Sequence, residues 1–290
     1  MGKHLNRAKA YFGTDTRGML EGGRYALLHT RSLELDELRP YVPGDDVRDI
    51  DWKASARSGG VLIKQFVSEK HHKVLLVADA GRNMCALAPG GELKSDVAVN
   101  VLGAVGLITL GRTDEVGMVY GDARGSVNVR QRRGENHIES LLTRYHGHSA
   151  GHTARGSSDI VCQLTYVATH YRHPMLIVVV SDEPDADPRL AEVLARLTAR
   201  HDVMWAMIPD MPAVAAAEDG AYDVATGRRV LGSASHEPRV VAAYRLAEQR
   251  RIRNLEEMMT THGIPHVTIP RSEAIRAAVA EMTGVWSRAG

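Results

Sequence analysis

The chain has 290 residues, 44% of them hydrophobic, which suits one large α/β domain or one domain with an appended segment. Thirty-six basic residues face 35 acidic ones, so no global field draws it to nucleic acid or to an anionic membrane. Two cysteines, Cys85 and Cys162, exclude a disulfide framework and fit a reducing compartment.

The first fifteen residues, "MGKHLNRAKAYFGTD", hold no apolar run, so no signal peptide is read there. Next, "LLHTRSLELDELRPYV" and "GVLIKQFVSE" read as extended segments on either side of "RPYVPGDDVRDIDWKASARSG", residues 39–59. Within that stretch Pro43-Gly44 fits the centre of a type II turn, and Asp45 fits a helix N-cap with Asp46 in the first turn. Val47, Ile50 and Ala54 then share a helical face, and Asp49 with Lys53 makes an i,i+4 pair worth about 0.2–0.5 kcal/mol if exposed. Asp51, Trp52, Arg57 and Arg39 are left over. Arg39, Arg48, Lys53 and Arg57 balance the carboxylates, which argues against a metal cage. Two readings remain: a scaffold in which Trp52 packs on the sheet domain, and a partner surface carried by Asp45, Asp46, Asp51, Trp52 and Arg57. The scaffold leads.

From residue 73 uninterrupted apolar runs recur: "KVLLVAD", "EVGMVYG", "PMLIVVVSD", "DVMWAMIPD" and "IPHVTIP". Runs without polar alternation suit strands buried on both faces, as in a parallel sheet. Helical spacing fills the gaps: Leu93 to Ile108, then Ile138 with Leu141 and Leu142, Ile160 with Leu164 and Val167, Leu190 to Leu197, Ile252 with Leu255 and Met259, and Ile275 with Ala278 and Met282. The most apolar of these, 97–110, is broken by Asn100 and is too short to span a bilayer. "VYGDARGSVNVRQR" adds a hairpin, and "YDVATGRRVLG" reads as another around Thr226-Gly227. The expectation is a doubly wound, mainly parallel α/β sheet over 73–290, with a hairpin insertion near 221–231 and an N-terminal extension over 1–72. The protein is expected to be soluble, cytoplasmic and not inserted in a membrane.

"YVPGDDVRDIDWKASARSG", followed by "VLIKQF" and "VLLVADAGRNM", resembles the family called domain of unknown function 58. Its members carry a YxPGDDxRxIDWxxxAR-type signature ahead of a von Willebrand factor A-like domain. The likeness extends to "SSDI" at 157–160, "VVVSDEPD" at 178–185 and "YDVATGRRVLG". It implies a von Willebrand factor A type of sheet and association with a MoxR-type AAA+ ATPase in a chaperone-like system with an unknown client. Many members carry two membrane-spanning helices before the signature, and this chain resembles the short soluble branch.

Domains of that type often hold Mg²⁺ through a D-x-S-x-S motif, a Thr from a second loop and a later Asp. Mg²⁺ takes six oxygens at about 2.0–2.1 Å. Here Asp79 and Asp182 keep the carboxylates, Asn83 and Ser158 substitute other oxygens, and Gly81 supplies none. Mg²⁺ is therefore expected to be weak or absent, and Gly81→Ser to tighten it if the geometry is intact. The competing reading makes Asp79, Asn83, Ser158, Asp159 and Asp182 helix caps, with Arg82 supplying the charge a metal would bring. His146, His148 and His152 in "HGHSAGH" read as solvated loop residues. Ser157 and Ser158 lack a G-x-S-x-G setting, and no phosphate-loop motif is present, so neither a nucleophile nor a nucleotide site is read. The expected function is a non-enzymatic protein-binding module, an adaptor for the ATPase or its client. A metal-dependent enzyme or sensor, or a structural assembly subunit, are the alternatives.

Overall fold

The five apolar runs are strands of one sheet, and four of them are buried on both faces over nearly their whole length. The computed structural model describes residues 2–13, 34–42, 50–67, 73–150, 156–212, 222–228 and 237–288. Strands β1 (Glu34–Pro40) and β2 (Leu62–Val67) pair antiparallel, and form a unit of residues 28–71 with the short helix α2 (Trp52–Ser58). The remaining strands are β3 (Lys73–Asp79), β4 (Glu115–Asp122), β5 (Gly125–Arg132), β6 (Leu176–Ser181), β7 (Asp202–Met207) and β8 (His266–Thr268). They form one sheet in the order β5-β4-β3-β6-β7-β8, parallel except for the β4–β5 hairpin at one edge.

Helices cover both faces. Leu75, Val77, Val179 and Trp205 point to one side, against α5 (Ile160–His170), α6 (Pro188–Thr198) and the last turns of α7 (Pro238–Thr261). On the other side lie α1 (Lys3–Phe12), α3 (Lys94–Gly111), α4 (Glu135–Ala150) and α8 (Ile275–Arg288). Helix α3 is long and apolar enough to cross a membrane, yet 83% of it is buried inside the fold. Asn100, the polar break in its pattern, donates to Ser272 Oγ at 2.8 Å, and that hydroxyl donates to Glu92 at 2.6 Å. The amide nitrogen of this buried side chain is thus paired, while its Oδ1 has no partner.

One boundary needs correction. Residues 1–72 are not one extension: residues 1–27 group with 72–290. The reason is helix α1, which buries Leu5, Ala8 and Phe12 and packs on α3. Its free N-terminal amides at His4 and Leu5 donate to the Glu139 carboxylate of α4, each at 2.9 Å. The expected hairpin at 221–231 is described only over 222–228, where Asp223 N donates to Arg228 O and Gly227 closes the turn at φ +69°.

The signature stretch also folds differently. Pro43-Gly44, Asp45, Asp46, Val47, Arg48 and Asp49 lie outside the described residues. Ile50 is extended and bridges Ile63, so it shares no helical face with Ala54. The helix begins at Trp52, and Asp51 is its N-cap: its Oδ1 accepts from Lys53 N at 3.0 Å and Ala54 N at 2.9 Å. Trp52 at the first helical position is 66% exposed and is no core residue, and Arg57 is exposed as well.

Candidate functional site

A doubly wound sheet leaves a crevice where the chain reverses direction across it, at the carboxyl ends of its strands. Here that point is between β3 and β6, which lie side by side in parallel register from Val74 and Leu176 to Ala78 and Val180. Asp79 ends β3 and Asp182 follows β6, so the register alone brings the two carboxylates together. Asp182 is held from behind: Trp205 Nε1 donates to Ser181 Oγ at 3.0 Å, and Ser181 Oγ donates to Asp182 O at 2.6 Å.

The loop at 156–159 closes over Asp79. Gly156 N donates to Asp122 Oδ2 at 2.9 Å, Arg82 N to Gly156 O at 3.1 Å, and Ala123 N to Ser157 O at 2.9 Å. The Arg124 guanidinium beside Asp122 holds that carboxyl down at about 2, so it stays an acceptor for the loop. Ser158 Oγ accepts from Asn83 N at 3.2 Å, and Asn83 Nδ2 donates to Asp182 Oδ2 at 2.7 Å. All four residues picked out by the sequence pattern therefore meet in one place.

Asp79 is fully buried. Its Oδ1 accepts from Gly81 N at 2.9 Å, and its Oδ2 has no partner. Burial first, then the neighbouring Asp182 charge, push its carboxyl up to about 7. The Ser158 hydroxyl, the Gly81 amide and the Lys94 ammonium oppose that rise. Lys94, in the first turn of α3, is itself fully buried and meets Asp210 Oδ1 at 2.6 Å.

The residues do not fit a Mg²⁺ ion. A side chain at Gly81 has no room, since a Cβ there would come within 2.5 Å of Ser158 Cα. Ser158 Oγ is engaged with Asn83 N, and Asn83 turns its amide nitrogen rather than its oxygen to Asp182. Among the described residues no three His, Cys, Asp or Glu side chains are placed to hold a metal. The unpartnered Asp79 Oδ2 is the one feature that would suit a cation, and a single oxygen is far from a six-oxygen shell.

The capping alternative is realised only in part. Asp79 accepts from the Gly81 amide. Asp182 caps nothing, and Asp187 is the residue that caps α6, accepting from Leu190 N at 2.8 Å. Asp159 pairs with Arg189 at 3.1 Å instead of capping α5. Arg82 is exposed and donates to Ala225 O at 3.1 Å, so the buried cation near Asp79 is Lys94 and not Arg82. Sequence reading missed Lys94 because a lysine in a first helical turn looks like an ordinary solvated residue. His146 and His148 lie on α4, the former 3.6 Å from Asp96 and the latter edge-on to Tyr120, and His152 is outside the described residues.

In front of this cluster is an open crevice of about 470 Å³. Its lining carries six carboxylates, Asp159, Asp182, Glu183, Asp185, Asp187 and Asp210, against two guanidinium groups, Arg189 and Arg251. Arg189 pairs with Asp159 and Arg251 with Glu183 at 2.6 Å, so the wall is left net negative.

The chain matches, over residues 37–233, the family described as "Protein of unknown function DUF58", and it belongs to that family. It is similar to uncharacterized proteins of Mycobacterium bovis and Mycobacterium tuberculosis, 28% identical over 125 residues, or 43% of this chain. The chain spans 39% of the length of the curated relatives it matches. Among solved structures it is similar to an aerotolerance-related membrane protein from Bacteroides fragilis, at 12% identity and TM-score 0.45 over 74% of this chain and 99% of that one. It is also similar to a von Willebrand factor type A protein from Catenulispora acidiphila, at 12% identity and TM-score 0.45 over 78% of this chain and 44% of that one.

Proposed function

Starting from that family membership, we propose that the protein is a non-enzymatic binding module that docks a MoxR-type AAA+ ATPase, or the client of that ATPase, in the cytoplasm. The observation that carries this reading is the convergence of Asp79, Asn83, Ser158 and Asp182 on one polar crevice at the switch point of the sheet. Its net negative wall suits a basic stretch of the partner. No histidine, cysteine or lysine lines it among the described residues. The exposed Trp52, with Val42 and Val61 also exposed, supports a second contact through the signature segment.

The test is binding of the purified ATPase by wild type and by Asp182→Ala, with and without nucleotide. Asp182→Ala should weaken binding while the thermal melt stays cooperative, and EDTA should leave wild-type binding unchanged. An Asp182→Ala protein that binds as wild type does would remove the crevice as the docking surface.

A further inference from the structure

We propose that the Lys94 ammonium is the resident cation of the crevice, so that the site in this chain works without a divalent metal. Three parallel strands, adjacent in the order β3-β6-β7, lead into carboxylates at the same edge: Asp79 ends β3, Asp182 directly follows β6, and Asp210 lies in the loop after Met207, the end of β7. Lys94 enters behind them from the start of α3, whose first residues lean on the turn Arg82–Cys85 through the Lys94 N to Ala86 O bond of 2.9 Å.

Its placement is unfavourable in every respect but one. The positive end of the helix dipole repels a lysine in a first turn. Full burial removes its water. What offsets both is the Asp210 carboxylate, in direct contact at 2.6 Å. Asp210 is 63% exposed on its side chain and lines the crevice, so the ion pair links the buried cluster to the surface that a partner would touch.

A fixed positive charge in a low-dielectric interior repels a second cation strongly, and a divalent ion twice as strongly as a proton. The lysine and a metal are therefore alternatives at this place. The packed Gly81–Ser158 contact and the Asn83–Asp182 bond agree, since both leave the would-be ligands satisfied without an ion. The inference does not depend on which partner the crevice takes.

The test measures Mn²⁺ binding, by calorimetry and by the free-ion paramagnetic resonance signal, for wild type, Lys94→Met and Lys94→Met with Asp79→Asn. Wild type should bind weakly or not at all. Lys94→Met should tighten Mn²⁺ binding at least about tenfold, as removal of a neighbouring unit charge requires, and the double variant should lose the gain. A lysine with only a structural role would change stability and leave cation affinity untouched. Tight binding by wild type, or no gain in Lys94→Met, overturns the proposal. Should Lys94→Met fail to fold, Lys94→Gln is measured in its place, with the same gain expected and its absence overturning the proposal. Melts in MgCl₂ and in NaCl at equal ionic strength should coincide, and a Mg²⁺-specific rise in Tm that Asp79→Asn removes overturns the proposal.

Discussion

Replacing Asp79 by Asn should stabilise the protein at alkaline pH and change little at acidic pH. Asp79 is fully buried, and burial together with Asp182 raises its carboxyl from 3.8 to about 7. The unfolded chain loses this proton near pH 4, whereas the folded chain keeps it until about pH 7. The folded state is thus favoured by this group below pH 4, and that advantage is lost progressively as pH rises to 7. At 1.36 kcal/mol for each pH unit, the rise from 3.8 to about 7 corresponds to about 4 kcal/mol, present as a penalty above pH 7. Asparagine keeps an oxygen for the Gly81 amide and cannot ionise. Urea unfolding at pH 4.5 and pH 8 should therefore show Asp79→Asn more stable than wild type by about 2–4 kcal/mol at pH 8, and near equality at pH 4.5. Equal effects at the two pH values would refute the reasoning. So would a loss of stability at pH 8, which would mean that the Lys94 charge outweighs burial and the Asp182 charge at Asp79.

Gly81→Ser should not create a metal site: its Cβ would meet Ser158 Cα at 2.5 Å, so urea melts should show a loss of about 1–3 kcal/mol with no gain in Mg²⁺ affinity by calorimetry. Trp52→Ala removes a side chain that is 66% exposed and should change stability by less than about 1 kcal/mol; a loss of 3–5 kcal/mol in the same melt would restore it to a core. Asp51→Ala removes both cap bonds of α2 and should cost about 0.5–2 kcal/mol, read by faster amide exchange at Lys53 and Ala54. Ser181→Ala leaves the buried Trp205 N–H without its acceptor and should cost about 1–3 kcal/mol in urea unfolding.

The sheet was legible because its signal is local. A buried strand must be apolar at every position, so "KVLLVAD" and "LIVVVS" identify β3 and β6 with no knowledge of their neighbours. The helices were legible for the same reason, through the spacing of Leu190, Val193, Leu194 and Leu197. Asp79, Asn83, Ser158 and Asp182 could be picked out because the family resemblance implies a metal motif whose positions they occupy. In the signature stretch the reading failed at Ile50, which the ladder with Ile63 draws into an extended bridge, and at Asp51, which caps the helix beginning at Trp52.

What these residues do with one another was decided only by the tertiary structure. The sequence determined that two strand-terminal carboxylates exist and that the first serine of the metal motif is a glycine. It could not show that Ser158 packs against Gly81 so closely that no side chain fits, because that contact joins positions 77 residues apart. Nor could it show that the buried Lys94 pairs with the half-exposed Asp210, 116 residues away. Strand and helix identity follows from each segment's own apolar pattern. Charge compensation depends on distance and burial, which exist only after the segments have packed.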